Sequence, residues 1–162
     1  SVDTPKAGTQ VYRTPLGRPV YGGGGITPDV ALAEEEYTDL MHEVYVGGAL
    51  TDFCSRWVDT HQDWPADFGV FLRDWEVDAA TLAAFLAVPG SMGAAKGSGV
   101  SAVERAFLRR QIKAGIAGVL WGDEERYRVH IEGDRQVGEA LELFPQAAEL
   151  VRRRREAVGP RY

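Results

Sequence analysis

Apolar residues recur every three or four positions over much of the chain after residue 30, which is the spacing of one helix face. The spacing predicts a helix that starts at Ala31 and continues to about His61. The pair Gly47-Gly48 should mark a break or a tight helix contact, because two glycines cost about 2 kcal/mol inside a helix. The apolar positions of this stretch are Leu32, Tyr37, Leu40, Met41, Val44, Tyr45, Leu50, Phe53, Cys54, Trp57 and Val58.

Start and stop signals predict three further helices. Asp78 is suited to cap a helix that Pro89 ends, and Asp134 is suited to cap a short helix. Pro145 opens the last helix, which should end near Ala157.

The clearest helix signal is a capping box formed by Ser101 and Glu104. It predicts a helix that runs to about Trp121 and stops at Gly122. The predicted apolar stripe consists of Val103, Phe107, Leu108, Ile112, Ile116, Val119 and Leu120.

A β-hairpin is predicted near the N-terminus, over residues 9–21. Val11 and Arg13 alternate on one arm, and the segment Thr14–Gly17 has the proline and glycine placement of a β-turn. Pro19 favours a strand at a sheet edge. A lone hairpin is marginally stable in water, and no other strand is predicted, so this one should join a sheet outside the chain.

These elements predict a mainly α fold, with an N-terminal β-hairpin or edge-strand segment followed by a helical domain. The predicted boundary lies between residues 1–30 and 31–162. The 162 residues are 44% hydrophobic, enough for a sizeable core.

The net charge of −6 disfavours nucleic acid as a partner. No apolar run reaches the roughly 18 residues of a membrane span. The first ten residues lack the pattern of a signal peptide, so we expect either a cytoplasmic protein or a missing beginning.

Nucleophile and phosphate-binding patterns are weak. Gly22 to Gly25 lack the Gly-Lys-Ser/Thr ending of a phosphate-binding loop. Gly97 to Ala102 fit a dinucleotide pattern, but no strand precedes them. Lys96 and Ser98 could form a Ser-Lys pair, yet both lie in the stretch 89–100, whose composition indicates a flexible loop. A catalytic lysine needs burial to lower its pKa.

The remaining candidates favour structural roles. Cys54, the only cysteine, lies on an apolar helix face and should be a buried thiol. The sequence spacing of His42, His61 and His130 is not that of metal ligands. The acidic cluster at residues 123–125 does not have the ligand spacing of a calcium-binding loop. We therefore predict no catalytic residue, no metal site and no cofactor.

The run Arg152 to Arg155 has two interpretations. It could contact nucleic acid, or it could be a solvated helix end that complements the helix dipole. The acidic net charge and the absence of interleaved aromatic residues favour the solvated helix end.

The segment VYRTPLGRPVYGGGGITPDV, residues 11–30, resembles bacterial carboxyl-terminal processing proteases, also called tail-specific proteases, which use a Ser-Lys dyad. Residues 31–157 are more loosely similar to the helical C-terminal extension of one subgroup. The residues that carry the resemblance are Gly17, Arg18, Val20, Tyr21, Gly22, Gly23, Gly24, Gly25, Ile26, Pro28 and Asp29.

The resemblance implies a non-catalytic C-terminal portion of a secreted, periplasmic serine endopeptidase that processes protein C-termini. In that family the catalytic Ser and Lys and a PDZ-type domain lie upstream of the hairpin, and nothing here corresponds to them. The expected partner is that upstream core, with a homo-oligomer or strand-swapped dimer as a further possibility. The glycines would turn the chain from the protease sheet into the helices, which would serve a structural, gating or oligomerisation role.

Two alternatives stay open. One is a stand-alone helical interaction module without peptidase activity, which the orphan hairpin argues against. The other, the least favoured, is an independent enzyme that acts through Lys96 and Ser98 or through a histidine site.

Overall fold

The computed structural model describes residues 10–14, 17, 19–21, 30–32, 37–91 and 99–158. Within these ranges it contains eight helices and one two-stranded antiparallel sheet, which confirms the predicted mainly α class. The elements are β1 Val11–Arg13, β2 Pro19–Tyr21, α1 Asp39–Val46, α2 Ala49–Thr60, α3 Phe68–Asp74, α4 Ala79–Leu86, α5 Ala102–Leu120, α6 Asp123–Glu132, α7 Arg135–Glu142 and α8 Phe144–Val158.

The chain divides into two compact units. The first combines Ser1–Glu34 with Gly138–Tyr162, and the second is Glu35–Val137, called the helical unit below. The predicted boundary at residue 30 stays a prediction.

The hairpin near the N-terminus is confirmed. Strands β1 and β2 pair with Tyr12 opposite Val20. The turn between them is closed by a 2.8 Å hydrogen bond from the Gly17 N–H to the Thr14 carbonyl. Gly17 has a φ of 78°, a conformation that glycine adopts without a steric penalty.

The first helix begins later than the apolar spacing predicts. Ala31 and Leu32 are not helical, and α1 starts only at Asp39, because the Thr38 side chain caps it by accepting from the Met41 N–H at 3.4 Å. A residue that caps a helix has extended backbone, so the helix cannot continue through it. The predicted break at Gly47-Gly48 is confirmed, since it separates α1 from α2.

The capping box at the start of α5 is confirmed in both directions. Ser101 Oγ accepts from the Glu104 N–H at 3.1 Å, and Glu104 Oε2 accepts from the Ser101 N–H at 2.8 Å. The helix ends beside Gly122, whose φ is 115°. The helices predicted after Asp78, Asp134 and Pro145 are also present.

The predicted stripe of α5 is only partly correct. Phe107, Leu108, Ile112 and Ile116 are buried, but Val103 and Val119 are 53% and 43% exposed. The helix packs against α2 on one side and α6 on another, so more than one stripe of it is covered. The buried residues outside the prediction are Gln111, Lys113, Ala114 and Ala117.

Two helices, α3 and α6, have no counterpart in the sequence prediction. Helix α3 has seven residues, too few to show a periodic pattern, and Asp67 caps it through the Val70 N–H at 3.0 Å. Helix α6 buries only Val129 and therefore shows no apolar stripe. The packing of α6 along α5 holds it in place.

Among the described residues, the hydrophobic core lies in the helical unit. Its buried residues fall between Leu40 and Val129 and come from α1 to α6 and the adjoining loops. Aromatic rings line much of it: Phe71 stacks on Trp75 with ring centroids 4.9 Å apart, and Phe53 meets Phe85 edge-on at 5.3 Å.

Candidate functional site

A groove of about 900 Å³ lies in the helical unit, with α5 as its floor. Its other walls come from α1 and the residue Tyr37 before it, from the end of α3, from the C-terminal part of α6, and from Arg135 at the start of α7. This volume falls within the range of small-ligand sites.

One face of α5 forms the length of the groove. Lining residues recur three or four positions apart along α5, which places them on one side of the helix. They are Val103, Ala106, Phe107, Arg110 and Lys113. At 1.5 Å per residue these positions span about 15 Å. The face is apolar at its N-terminal end and cationic at its C-terminal end.

The apolar end of the groove is built from aromatic rings. Tyr37 stacks on Tyr45 with centroids 6.3 Å apart, and Tyr45 meets Phe107 edge-on at 5.5 Å. The Tyr45 hydroxyl accepts a 3.3 Å hydrogen bond from Gln111 Nε2. Because both tyrosines are more than half exposed, this end presents open aromatic surface to solvent.

At the cationic end, Lys113 is buried and fully engaged. Its Nζ donates to the Leu72 carbonyl and to Glu76 Oε1, both at 2.9 Å, and lies 5.9 Å from the centroid of Phe71. The Lys113 charge is therefore balanced within the groove wall, and Lys113 joins α5 to the end of α3.

Arg110 has a different environment. Its Nη1 donates to the Gly133 carbonyl at 2.8 Å, at the C-terminus of α6, where a cation also meets the negative end of the helix dipole. Its Nε is buried and has no hydrogen-bond partner among the described residues. No ion pair joins Arg110 to a carboxylate in the part of the chain that the structure describes.

The groove is cationic although the chain is acidic. Four basic side chains line it, Arg109, Arg110, Lys113 and Arg135, against two acidic ones, Glu76 and Glu132. The formal excess is two positive charges on a chain of net charge −6. His130 is close by and half-buried; desolvation, then Arg110 and Arg126, lower its pKa, so it adds no charge at neutral pH.

Most of the sequence motif lies outside the described residues. Gly17, Val20 and Tyr21 are in the hairpin, and Gly17 and Val20 are not among the residues that line the groove. The pair Lys96 and Ser98 lies outside the described residues. So do the other motif residues, Arg18, Gly22, Gly23, Gly24, Gly25, Ile26, Pro28 and Asp29.

Cys54 is a buried thiol, as predicted. It is 1% exposed, and its Sγ donates to the Ile112 carbonyl at 3.7 Å. Desolvation by burial raises its pKa from 9.0 to about 12, so the nucleophilic thiolate is scarce at neutral pH. Cys54 therefore has a structural role: it packs α2 against α5.

The histidines and acidic residues do not converge. His61 stacks on Trp57 with centroids 4.1 Å apart, whereas His42 lies edge-on to Tyr37 at 6.4 Å. Asp123 is in the first turn of α6 and pairs with Arg126 at 3.0 Å. Within the described ranges, no group of three or more His, Cys, Asp or Glu side chains could hold a metal ion.

The basic run near the C-terminus is paired within its own helix. Glu149 meets both Arg152 and Arg153 at 2.7 Å, and these hydrogen bonds lower the Glu149 pKa to about 2. This pairing supports the interpretation as a solvated helix end. No helix among the residues that the structure covers is long and apolar enough to cross a membrane.

The groove has no counterpart among the sequence predictions. Its signal was present in α5, where basic residues replace apolar ones after Phe107 on a single helical face. The partners of that face, Gly133 and Tyr37, are distant in sequence and could not be paired with it. Comparisons of the chain with protein-family models, with curated proteins and with solved structures find no match.

Proposed function

We propose that this chain is a non-catalytic C-terminal portion of a secreted serine-type endopeptidase that processes protein C-termini. The observation that carries the proposal is the three-pair hairpin in the segment that resembles such proteases. Val11 and Tyr12 of β1 are each 52% exposed, and a two-stranded ribbon of this length is marginally stable alone. A sheet in an upstream catalytic core would supply the missing partner.

In this proposal the two parts of the chain have different tasks. The hairpin extends the sheet of the catalytic core by strand addition, which pairs backbone N–H and C=O groups that would otherwise be left open. The helical unit, with its own core and groove, takes the structural, gating or oligomerisation role. The signal sequence and the Ser-Lys dyad would be encoded upstream, and the protein would work in the periplasm.

The test starts from the reading frame upstream of the Ser1 codon. The proposal expects a secretion signal, a PDZ-like segment and a Ser-Lys dyad in that frame, and hydrolysis of an unstructured peptide by the complete product. Tyr12→Pro removes a backbone donor from β1 and should lower that hydrolysis, whereas Glu142→Ala, an exposed change in α7, should leave it unchanged. A frame without a peptidase core would overturn the proposal.

A second proposed function, a stand-alone helical interaction module, is favoured by one observation. The hydrophobic core of the described residues falls wholly within the helical unit, so that unit does not need the hairpin to bury its apolar surface. A reading frame that starts at the Ser1 codon, with binding activity but no peptidase activity in the product, would select this second function.

If the chain is produced alone, the open strand edges should promote exchange between copies. We propose that the isolated chain then forms a strand-swapped dimer. Sedimentation of the chain and of its Tyr12→Pro variant would show this as a dimer that the proline converts to a monomer.

A further inference from the structure

We propose that the groove along α5 binds an extended peptide segment in which apolar residues are followed by an aspartate or glutamate, with Arg110 as the residue that receives the side-chain carboxylate. The inference rests on the second proposed function, a helical interaction module, and not on the resemblance to proteases.

The first argument is the polarity of the α5 face. Val103, Ala106 and Phe107 precede Arg110 and Lys113 along the groove, so one end favours apolar groups and the other favours an anion. The length of about 15 Å fits four or five extended residues at roughly 3.3 Å each. A peptide with its apolar residues first and its carboxylate last would match both ends of the groove.

The second argument is that Arg110 has no counter-charge paired with it among the described residues. Lys113 already holds the Glu76 carboxylate, whereas Arg110 contacts only the neutral Gly133 carbonyl among the described residues. A buried donor without a partner carries a desolvation cost that a ligand oxygen can remove. Arginine receives carboxylates through two parallel N–H···O bonds. Because Nε is buried in the free chain, two-bond binding requires the Arg110 side chain to rotate.

The third argument is electrostatic complementarity. The groove has a formal excess of two positive charges although the chain has a net charge of −6, so the groove can attract an anion that the net charge of the chain repels. Glu132 also lines the groove and would repel a carboxylate placed beside it. Glu132 directly precedes Gly133, the residue that Arg110 contacts, so the attraction of Arg110 for the carboxylate has to exceed this repulsion.

The test uses the full 162-residue chain and two fluorescein-labelled peptides with amidated C-termini. Both contain two leucines followed by a glycine, and then either two aspartates or two asparagines. We expect the aspartate peptide to bind at least about tenfold more tightly in fluorescence anisotropy, since a charged hydrogen bond pair is lost with the asparagines. Raising the salt concentration from about 0.1 M to 1 M should weaken the binding of the aspartate peptide and leave that of the asparagine peptide unchanged.

Matched variants assign the effect to the groove. Arg110→Gln should remove the preference for aspartate. Arg110→Lys keeps the positive charge but loses the planar guanidinium that forms two parallel hydrogen bonds, so it should retain part of the preference. Arg105→Gln removes the same charge from α5 outside the groove and should change affinity less than about twofold. Circular dichroism checks that each variant is folded; if Arg110→Gln is not, the comparison of the two peptides on the unmodified chain still decides.

Several outcomes would overturn the inference. Equal affinity for the two peptides, or no binding of either at 1 mM, excludes the carboxylate site. Equal losses in Arg110→Gln and Arg105→Gln place the effect outside the groove. Binding of octanoate, with dependence on Arg110 but without binding of either peptide, would assign the groove to a small carboxylic acid. An upstream frame without a peptidase core would leave this binding result unaffected.

Discussion

At the scale of single residues, α2 and α5 approach each other at Gly115. A Cβ added there would lie 2.5 Å from Cys54 Sγ. Alanine is favoured over glycine inside a helix by about 1 kcal/mol, but overpacking a core costs about 1–3 kcal/mol. We therefore expect Gly115→Ala to destabilise the chain by about 1–2 kcal/mol in urea unfolding.

The contact can be isolated by a second change. Cys54→Ala removes the sulfur atom, so Gly115→Ala should cost much less in that background than in the unmodified chain. Gly138→Ala in α7, where nothing lies within 4 Å of the new Cβ, should instead stabilise slightly. Equal costs for Gly115→Ala with and without the sulfur atom would show that the helices do not meet at this point.

Cys54 also gives the stability of the chain a pH dependence. Its pKa is about 12 when folded and 9.0 in the open chain, so above pH 9.0 only the unfolded state loses the proton. The free energy of unfolding should then fall by up to about 1.4 kcal/mol per pH unit as the pH rises above 9.0. Urea titrations of the unmodified chain and of Cys54→Ala between pH 8 and pH 10.5 measure this slope. It should be smaller in the variant, and identical slopes would mean that other groups cause it.

At the scale of elements, Glu104 ties the starts of two helices together. Its carboxylate accepts from the Ser101 N–H at 2.8 Å and from Thr38 Oγ1 at 2.9 Å, and these bonds lower its pKa. Because the pKa is lower in the folded state, the stabilisation is present above pH 4.5 and is lost as the pH falls through the folded value. Glu104→Ala should cost about 1 kcal/mol at pH 7 and less at pH 3.

Glu142→Ala is the matched control for this prediction, because Glu142 is exposed and has no role in a capping box. Its effect should stay within about 0.5 kcal/mol at both pH values. A Glu104→Ala cost that is the same at pH 3 and pH 7 would show that the carboxylate charge is not what joins α1 to α5.

The link between α3 and α5 depends on Lys113 more than on its acidic partner. The Lys113 side chain is 10% exposed and that of Glu76 is 76% exposed, so their ion pair is largely screened on the Glu76 side. Lys113→Ala would open a cavity and leave the Leu72 carbonyl without this donor. We expect it to cost about 2–3 kcal/mol, against less than about 1 kcal/mol for Glu76→Ala. Similar costs for both changes in thermal unfolding would assign the stabilisation to the ion pair instead.

The sequence predicted best those elements whose ends carry local signals. Ser101, Asp78 and Gly47-Gly48 act within a few residues of their own positions, so their hydrogen bonds and backbone preferences can be read along the chain. The start of α1 was placed too early because apolar spacing continued upstream of Thr38, and a cap outweighs such spacing. Helix α6 and the groove depend on contacts between distant segments, such as Arg110 with Gly133, which no local pattern encodes.

At the scale of the whole molecule, the distribution of buried residues indicates that the helical unit folds by itself. Every core residue in the described ranges lies between Leu40 and Val129, and none of the described side chains in α7 or α8 is buried. The hairpin has no core of its own that could stabilise it alone. A fragment of residues 35–137 should therefore retain its helices and unfold cooperatively, with a free energy within about 1 kcal/mol of that of the full chain.

A second fragment provides the control for this last prediction. Residues 35–121 lack α6, which packs along α5 and contributes Val129 to the core, so this fragment should lose the cooperative transition. Circular dichroism and urea unfolding compare the two fragments directly. If residues 35–137 were helical but melted without a cooperative transition, the core would need residues outside the unit. The interaction-module function would then lose its main support, while the proposed junction with a protease core would gain weight.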